Sequence, residues 1–413
     1  MPRPKRKAVS DSAVKAKRAK GETDLPDNLK WSHVGDAGYG NPLMIVLSSD
    51  SLKGATKVAG FDIDFTVIKT ASGRKFAIGS NDWEFWDESV PGKLRNLDED
   101  GYRIIFFTNQ AGIEKQKVTP DVVKRKIEAI IADLNIPVLV FISAGTNQYR
   151  KPSTFMWDYF VENCNNGQKL DLSKSVYVGD AAGRAKAWEP GKPKDFSCSD
   201  RMFATNIGID FHTPEEFFLG EKEAPFTWGS VDPQKVITIN KKRDVSRYVS
   251  KKPEMVIMVG FPASGKSSFC RQYLEPKNYT IVNRDTLKTM DKCAKAAAET
   301  LKSGKSVVID NTNPSTTARS DFIQVAKKQG VPCRCFWMKT SLELAHHLNY
   351  VRMNQTNGKV RRVPDVGYGV FKKNFEAPTK AEGFSDVLEV DFVPEFQNKR
   401  HETLFSQWTT GGH

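Results

Sequence analysis

Asp62-Ile63-Asp64-Phe65-Thr66 places two carboxylates and a hydroxyl within one short stretch of chain. Anions that close repel, so such a pair favours a shared proton or a divalent cation. Phosphoryl transfer to a carboxylate uses both options. Asp62 as nucleophile forms an acyl phosphate, which splits a hard hydrolysis into two displacements. Asp64 gives a proton to the leaving alcohol and then takes one from water. Thr66, Thr108 and Asn109 add hydroxyls and an amide for phosphate oxygens, and Lys151 adds a fixed cation. Asp180 supplies a further carboxylate for Mg²⁺, so the expected metal set is Asp62, Asp64 and Asp180.

A second group lies far downstream. Gly260-Phe261-Pro262-Ala263-Ser264-Gly265-Lys266-Ser267-Ser268 follows an apolar run and fits the GxxxxGK[ST] pattern. Backbone N–H groups of such a loop cradle nucleotide phosphates, Lys266 reaches the β and γ groups, and Ser267 holds Mg²⁺. The next acidic strand end reads Asp310-Asn311, without the Glu that would activate water, and no Asn-Lys-x-Asp follows to select guanine. Transfer from ATP is therefore expected rather than hydrolysis. Asp285 is the candidate base for an accepting hydroxyl, and Arg352, in a helical stretch before the polar lid-like segment 354–362, is the candidate cation.

These residues need elements to hold them. Apolar runs at 57–64, 104–109, 138–144, 175–180, 254–260, 306–311 and 331–338 end in polar residues or glycine, with helix-forming segments between most of them. That alternation predicts an α/β protein of two doubly wound parallel-sheet domains, whose ligands collect beyond the carboxyl ends of the strands. The expected division is a disordered basic tail over 1–25, a phosphatase domain over 26–220, a proline-punctuated linker over 221–252 and a kinase domain over 253–413.

Net charge is +13, and residues 1–20 hold +7 of it, with eight Lys/Arg against one Asp. The basic clusters 3–7 and 15–20 suit a two-part nuclear import address or weak attraction to a polyanion, so a nuclear location is expected. No apolar run is long enough for a bilayer, no secretion signal is visible, and the six Cys form no CxxC pair. The expectation is a soluble intracellular protein with reduced, mostly buried thiols, no membrane partner and a monomeric state.

The strand-end stations Asp62/Asp64, Thr108, Lys151 and Asp180 resemble the haloacid dehalogenase superfamily of Mg²⁺-dependent aspartyl phosphatases, although that superfamily usually has Gly where this chain has Phe65. With Gly260–Ser267, Asn283-Arg284-Asp285-Thr286 and Ile309–Pro314 added, the whole resembles the polynucleotide kinase 3′-phosphatases, two-headed enzymes of DNA strand-end repair. Further similar pieces are Gly179–Arg184, Asp195–Arg201, Tyr149–Pro152 and Phe375–Pro378, and the likeness covers roughly 56–390. It implies the roles given above, with Thr108 and Lys151 as phosphate ligands, Arg352 as a lid arginine and Asp310 near the kinase centre. Arg184 and Asp200, inside the matching strings, would support the phosphatase centre. The implied partners are DNA 3′-phosphate and 5′-hydroxyl ends, and the implied cofactors are Mg²⁺ and ATP. Trp83, Trp86, Tyr149 and Arg150 are candidate DNA contacts. Vertebrate members of the family begin with a forkhead-associated domain that binds phosphorylated scaffolds. The first motif here begins at Lys57, too soon for one, so phosphopeptide recruitment is not expected. Action on RNA ends or small metabolites, or a non-catalytic nucleic-acid scaffold, are the other readings.

Overall fold

The structure, a computed structural model, describes residues 25, 28–38, 41–239 and 243–410. The basic tail and its import clusters lie outside the described residues, apart from Leu25. The first sheet is built from β1 (Lys30–Val34), β2 (Met44–Ser48), β3 (Val58–Phe61), β6 (Arg103–Asn109), β7 (Val138–Ser143), β8 (Val176–Val178) and β9 (Asp210–His212), with β4 (Ile68–Lys69) and β5 (Glu84–Phe85) forming a separate hairpin. Its order is β1-β2-β7-β6-β3-β8-β9. β3 lies between β6 and β8, with Phe61 level with Phe106 and Val178. The chain runs from β3 outward through β6 and β7, then returns to β8 on the opposite side. A crevice therefore opens beyond β3, at the point where ligands bind in such sheets. Helices cover both faces, so β3 and β7 are buried along their whole length. Phe106, Phe107 and Phe141 are fully buried, each contributing about 1.5–3 kcal/mol relative to exposure.

The second sheet is β10 (Met255–Val259), β11 (Tyr279–Val282), β12 (Ser306–Ile309), β13 (Cys333–Met338) and β14 (Asp386–Val390), in the order β11-β12-β10-β13-β14 and parallel throughout. Again the chain reverses direction at the strand that carries the first motif.

All seven apolar runs became strands, yet the first sheet is mixed rather than parallel. β2 pairs antiparallel with both β1 and β7. Segment 221–252 is also more than a linker. Thr227 N–H donates to the Gly183 carbonyl at 3.0 Å, and the Arg201 guanidinium lies 3.7 Å above the Phe226 ring. Asp232 caps helix Pro233–Ile237, whose Val236 is buried with Leu344, Val351 and Phe405 of the second unit. The C-terminal segment returns to the first unit. Trp408 stacks on Trp228 at 4.2 Å and exchanges two hydrogen bonds with the Asn206 amide. No described helix is long and apolar enough to cross a membrane, and five of the six free cysteines are buried.

Candidate functional site

Asp62, Lys151, Asp180 and Asp200 converge beyond β3. Lys151, 1% exposed, places its ammonium 3.0 Å from Asp62 Oδ1 and 2.7 Å from Asp200 Oδ1, and it donates to the Tyr177 hydroxyl at 2.8 Å. Burial alone would discharge this lysine, but Asp200 and Asp62 outweigh it and hold its pKa above the usual range. Asp62, Asp180 and Asp200 each bring a carboxylate oxygen within 4.8 Å of the others. Burial raises the Asp62 pKa to about 6; Lys151 opposes the rise, while Asp200 and Asp64 add to it. Asp180 is pushed well above the ordinary carboxylate range by burial and then by Asp200 and Asp62. Three carboxylates with one lysine between them leave an excess of negative charge that a divalent cation would offset, so this donor set fits Mg²⁺.

Local sequence explains the convergence. Asp62 N–H donates to the Val178 carbonyl at 2.9 Å, tying the end of β3 to β8. Asp180 N–H donates to Thr66 Oγ1 at 3.1 Å, and Ala181 N–H donates to Asp200 Oδ2 at 3.0 Å. At Gly179 a Cβ would sit 2.4 Å from Asp200 Oδ2, so only glycine admits that carboxylate. Phe65 occupies the left-handed region with φ 61°, the turn a glycine would adopt freely, and the residue is 41% exposed.

Several expected roles change. Asp64 does not join the carboxylate trio: its Oδ1 pairs with Lys126 Nζ at 2.8 Å and its Oδ2 accepts from Gln110 at 2.7 Å. Burial would raise its pKa, but Lys126 and then Gln110 hold it below the usual value. Asp200 takes the place expected for Asp64. Thr66 is fully buried, and its hydroxyl positions Asp180 instead of facing a phosphate. The Asn109 amide is used at both ends by the Lys151 backbone, at 3.0 and 3.3 Å, so it fixes the lysine. Thr108 stays at the centre, 3.1 Å from Gln110 Nε2. Arg184 lies behind the site, bridging Asp195 and Glu215 at 2.8 Å each. Trp83, 2% exposed, is a core residue, and Trp86 packs on Phe218. Lys126 was not anticipated. Helix Pro120–Leu134 starts at a proline and buries Val123, Ile127, Ile130, Ile131 and Leu134, and Lys126 lies on that apolar face. A lysine in a core position was the signal.

The second centre lies beyond β10. Gly260 N–H donates to the Thr312 carbonyl, and left-handed Gly265 precedes the helix that begins at Lys266. The Lys266 ammonium rests on the Gly260 and Phe261 carbonyls at 2.9 and 2.6 Å. Burial lowers its pKa to about 8, against the attraction of Asp310. Burial raises the Asp310 pKa, and the nearby Ser267 hydroxyl and Lys266 oppose the rise; its Oδ1 is buried without a hydrogen-bond partner. That hydroxyl–carboxylate pair fits the Mg²⁺ of a nucleotide. Ser268, in the same first turn of that helix, is exposed. Asn283, not Asp285, caps helix Arg284–Leu287 by accepting from Thr286 N–H, so the exposed Asp285 carboxylate is not used as a cap. Asn311 accepts from Arg284 N–H at 2.9 Å and so ties this helix to the end of β12. Arg352, on helix Leu342–Gln355, donates to Asn349 at 3.0 Å and feels the field of Asp285.

Residues 57–218 match the family model for polynucleotide kinase 3 phosphatase, and residues 255–378 match the AAA domain. The bifunctional polynucleotide phosphatase/kinase of Schizosaccharomyces pombe is 41% identical over 342 residues, which is 83% of this chain and 81% of that protein. The chain belongs to the bifunctional polynucleotide phosphatase/kinase family. A putative bifunctional polynucleotide phosphatase/kinase of Acanthamoeba polyphaga mimivirus is 34% identical over 376 residues, covering 84% of this chain and 87% of that one. The polynucleotide 3′-phosphatase ZDP of Arabidopsis thaliana is 33% identical over 192 residues, 43% of this chain and 26% of its own. In this member of the bifunctional family, each matched segment contains one of the two centres.

Proposed function

We propose that the first centre hydrolyses 3′-phosphates and the second transfers the γ-phosphate of ATP to 5′-hydroxyls, on DNA strand ends in the nucleus. The observation that carries this reading is the separation of two complete reactive sets in one chain: Asp62, Lys151, Asp180 and Asp200 beyond β3, and Lys266, Ser267, Asp285 and Asp310 around the β10 loop.

In the first reaction an Asp62 oxygen forms a bond to phosphorus as the bond from phosphorus to the 3′-oxygen breaks, and Asp64 supplies the proton that oxygen needs from its protonated form, the minor one while Lys126 is paired with it. Water then attacks the acyl phosphate and loses its proton to Asp64, which frees Asp62. Lys151 neutralises the phosphoryl oxygens throughout. Asp62, Asp180 and Asp200 would hold Mg²⁺, which supplies charge neutralisation at the phosphoryl group. In the second reaction Asp285 takes the proton of the 5′-hydroxyl, which attacks the γ-phosphorus while ADP leaves. Lys266 and Arg352 stabilise the charge that develops, and Ser267 and Asp310 would hold the nucleotide's Mg²⁺.

A nicked duplex bearing 3′-phosphate and 5′-hydroxyl tests the reading directly. With Mg²⁺ alone the 3′-phosphate is lost, and with ATP added the 5′ end gains one. An RNA counterpart processed faster than the DNA would redirect the substrate assignment.

A further inference from the structure

Gln110 follows β6 directly, and its side chain reaches two groups of the phosphatase centre at once. Its Nε2 donates to Asp64 Oδ2 at 2.7 Å and to Thr108 Oγ1 at 3.1 Å. Strand alternation accounts for the reach. Residues two apart on an extended chain share a face, so Thr108 and Gln110 act together while Asn109 between them serves the Lys151 backbone. The Gln110 backbone is fixed as well. Its N–H donates to the Ser143 carbonyl of β7 at 2.8 Å, and its carbonyl accepts from Ile113 N–H at 3.1 Å.

The partners decide which end of the amide faces them. An ionised carboxylate only accepts, so the atom against Asp64 is the NH₂ nitrogen, and its second hydrogen goes to Thr108 Oγ1. Thr108, 1% exposed, therefore accepts from Gln110 and keeps its own hydroxyl hydrogen for another acceptor, which a phosphoryl oxygen supplies. Gln110 and Lys126 between them hold both Asp64 oxygens, with Lys126 Nζ 2.8 Å from Oδ1. Each carboxylate oxygen has two lone-pair sites, so neither partner has to leave when Asp64 carries a proton.

We propose that Gln110 is a positioning residue for phosphoryl transfer: one amide nitrogen sets the proton carrier Asp64 against the phosphate ligand Thr108 and so fixes the carrier relative to the bond that breaks. This rests on the function proposed above and deepens it. Gln110 itself touches neither the phosphorus nor the leaving oxygen. Its contribution is largest where the leaving oxygen needs a proton, as a sugar 3′-oxygen does, and small for p-nitrophenolate, which departs as a stable anion. The centre is thereby matched to alkyl rather than aryl phosphate monoesters.

The test compares p-nitrophenyl phosphate, phenyl phosphate and a 3′-phosphorylated single-stranded DNA decamer, using the full chain with Mg²⁺. The quantity read is kcat/KM, which covers the steps up to departure of the alcohol and excludes the later attack of water. Gln110→Met keeps the length of the side chain and removes the amide. It lowers kcat/KM for the decamer about thirtyfold, the size of a hydrogen bond to a charged group, and that for p-nitrophenyl phosphate by about threefold or less. Phenyl phosphate falls between them. Combining Gln110→Met with Thr108→Val gives less than the product of the two single losses, because one nitrogen serves both groups. A loss on p-nitrophenyl phosphate as large as that on the decamer, no loss on the decamer, or fully multiplicative losses in the double variant would overturn the assignment. Should Gln110→Met not fold, Gln110→Asn, which keeps the amide but is too short to span both partners, is read in its place. Failure of the unsubstituted chain to release phosphate from the decamer would count against the proposed function itself, a result distinct from all of these.

Discussion

Lys126 Nζ lies 2.8 Å from Asp64 Oδ1, and the lysine side chain is only 9% exposed. The proton carrier of the phosphatase centre is therefore set by a cation from a helix whose other inward residues are aliphatic. Lys126→Met removes that cation and leaves burial to raise the Asp64 pKa. The limb of the phosphatase pH–rate profile that reports Asp64 should move to higher pH. An unmoved profile in a folded variant would show that Lys126 serves only stability.

Asp200→Asn and Asp64→Asn separate metal binding from proton transfer. Asp200 belongs to the carboxylate trio and Asp64 does not. Asp200→Asn should raise the Mg²⁺ concentration for half-maximal phosphatase activity about tenfold or more. Asp64→Asn should lower kcat with the Mg²⁺ midpoint nearly fixed. Magnesium titrations of both variants decide the assignment.

The buried Lys266, with a ligand-free pKa of about 8, predicts proton uptake on ATP binding. Nucleotide phosphates raise the lysine's pKa, so below about pH 7 it is already charged and affinity is flat. Above about pH 8 a proton must be bound with ATP, and Kd rises by up to tenfold per pH unit. In the ligand-free chain the sign for stability follows from the depressed value. The unfolded state binds more protons between about pH 8 and 10.5, so this group's contribution favours the folded state increasingly as pH rises through that window and is lost as pH falls below it. Calorimetry at pH 8.5 in two buffers of different ionisation enthalpy measures the uptake, and zero uptake would contradict it.

Phe65 holds a left-handed turn that costs a non-glycine residue about 1–2 kcal/mol, and glycine returns about 0.5–1 kcal/mol of that as chain entropy. Phe65→Gly should change stability by no more than about 1 kcal/mol and keep phosphatase activity. Phe65→Val, β-branched at the same φ, should lose both. Urea denaturation with an activity assay on each variant checks this.

The centres were legible where chemistry sits next to the strand that carries it. Asp62, Lys151, Asp180, Lys266 and Asp310 all follow apolar runs and lie where the parallel order places strand ends. Residue type did not reveal direction. Thr66 and Asn109 are as able to bind backbone as phosphate, and both turn to backbone to fix Asp180 and Lys151. β1 and β2 escaped notice because they add antiparallel at one edge, outside the strand–helix alternation. The Lys126–Asp64 pair depends on how a helix seats against the site, which no local pattern encodes.

The central claim is that each centre performs its own phosphoryl transfer with its own residues. Both activities should be followed on one nicked duplex, carrying 3′-phosphate and 5′-hydroxyl, with Asp62→Asn and Lys266→Ala variants of confirmed fold. Asp62→Asn should keep the 3′-phosphate while still labelling the 5′ end from ATP, and Lys266→Ala should release the 3′-phosphate while leaving the 5′ end bare. Loss of both activities in either variant would contradict independent centres.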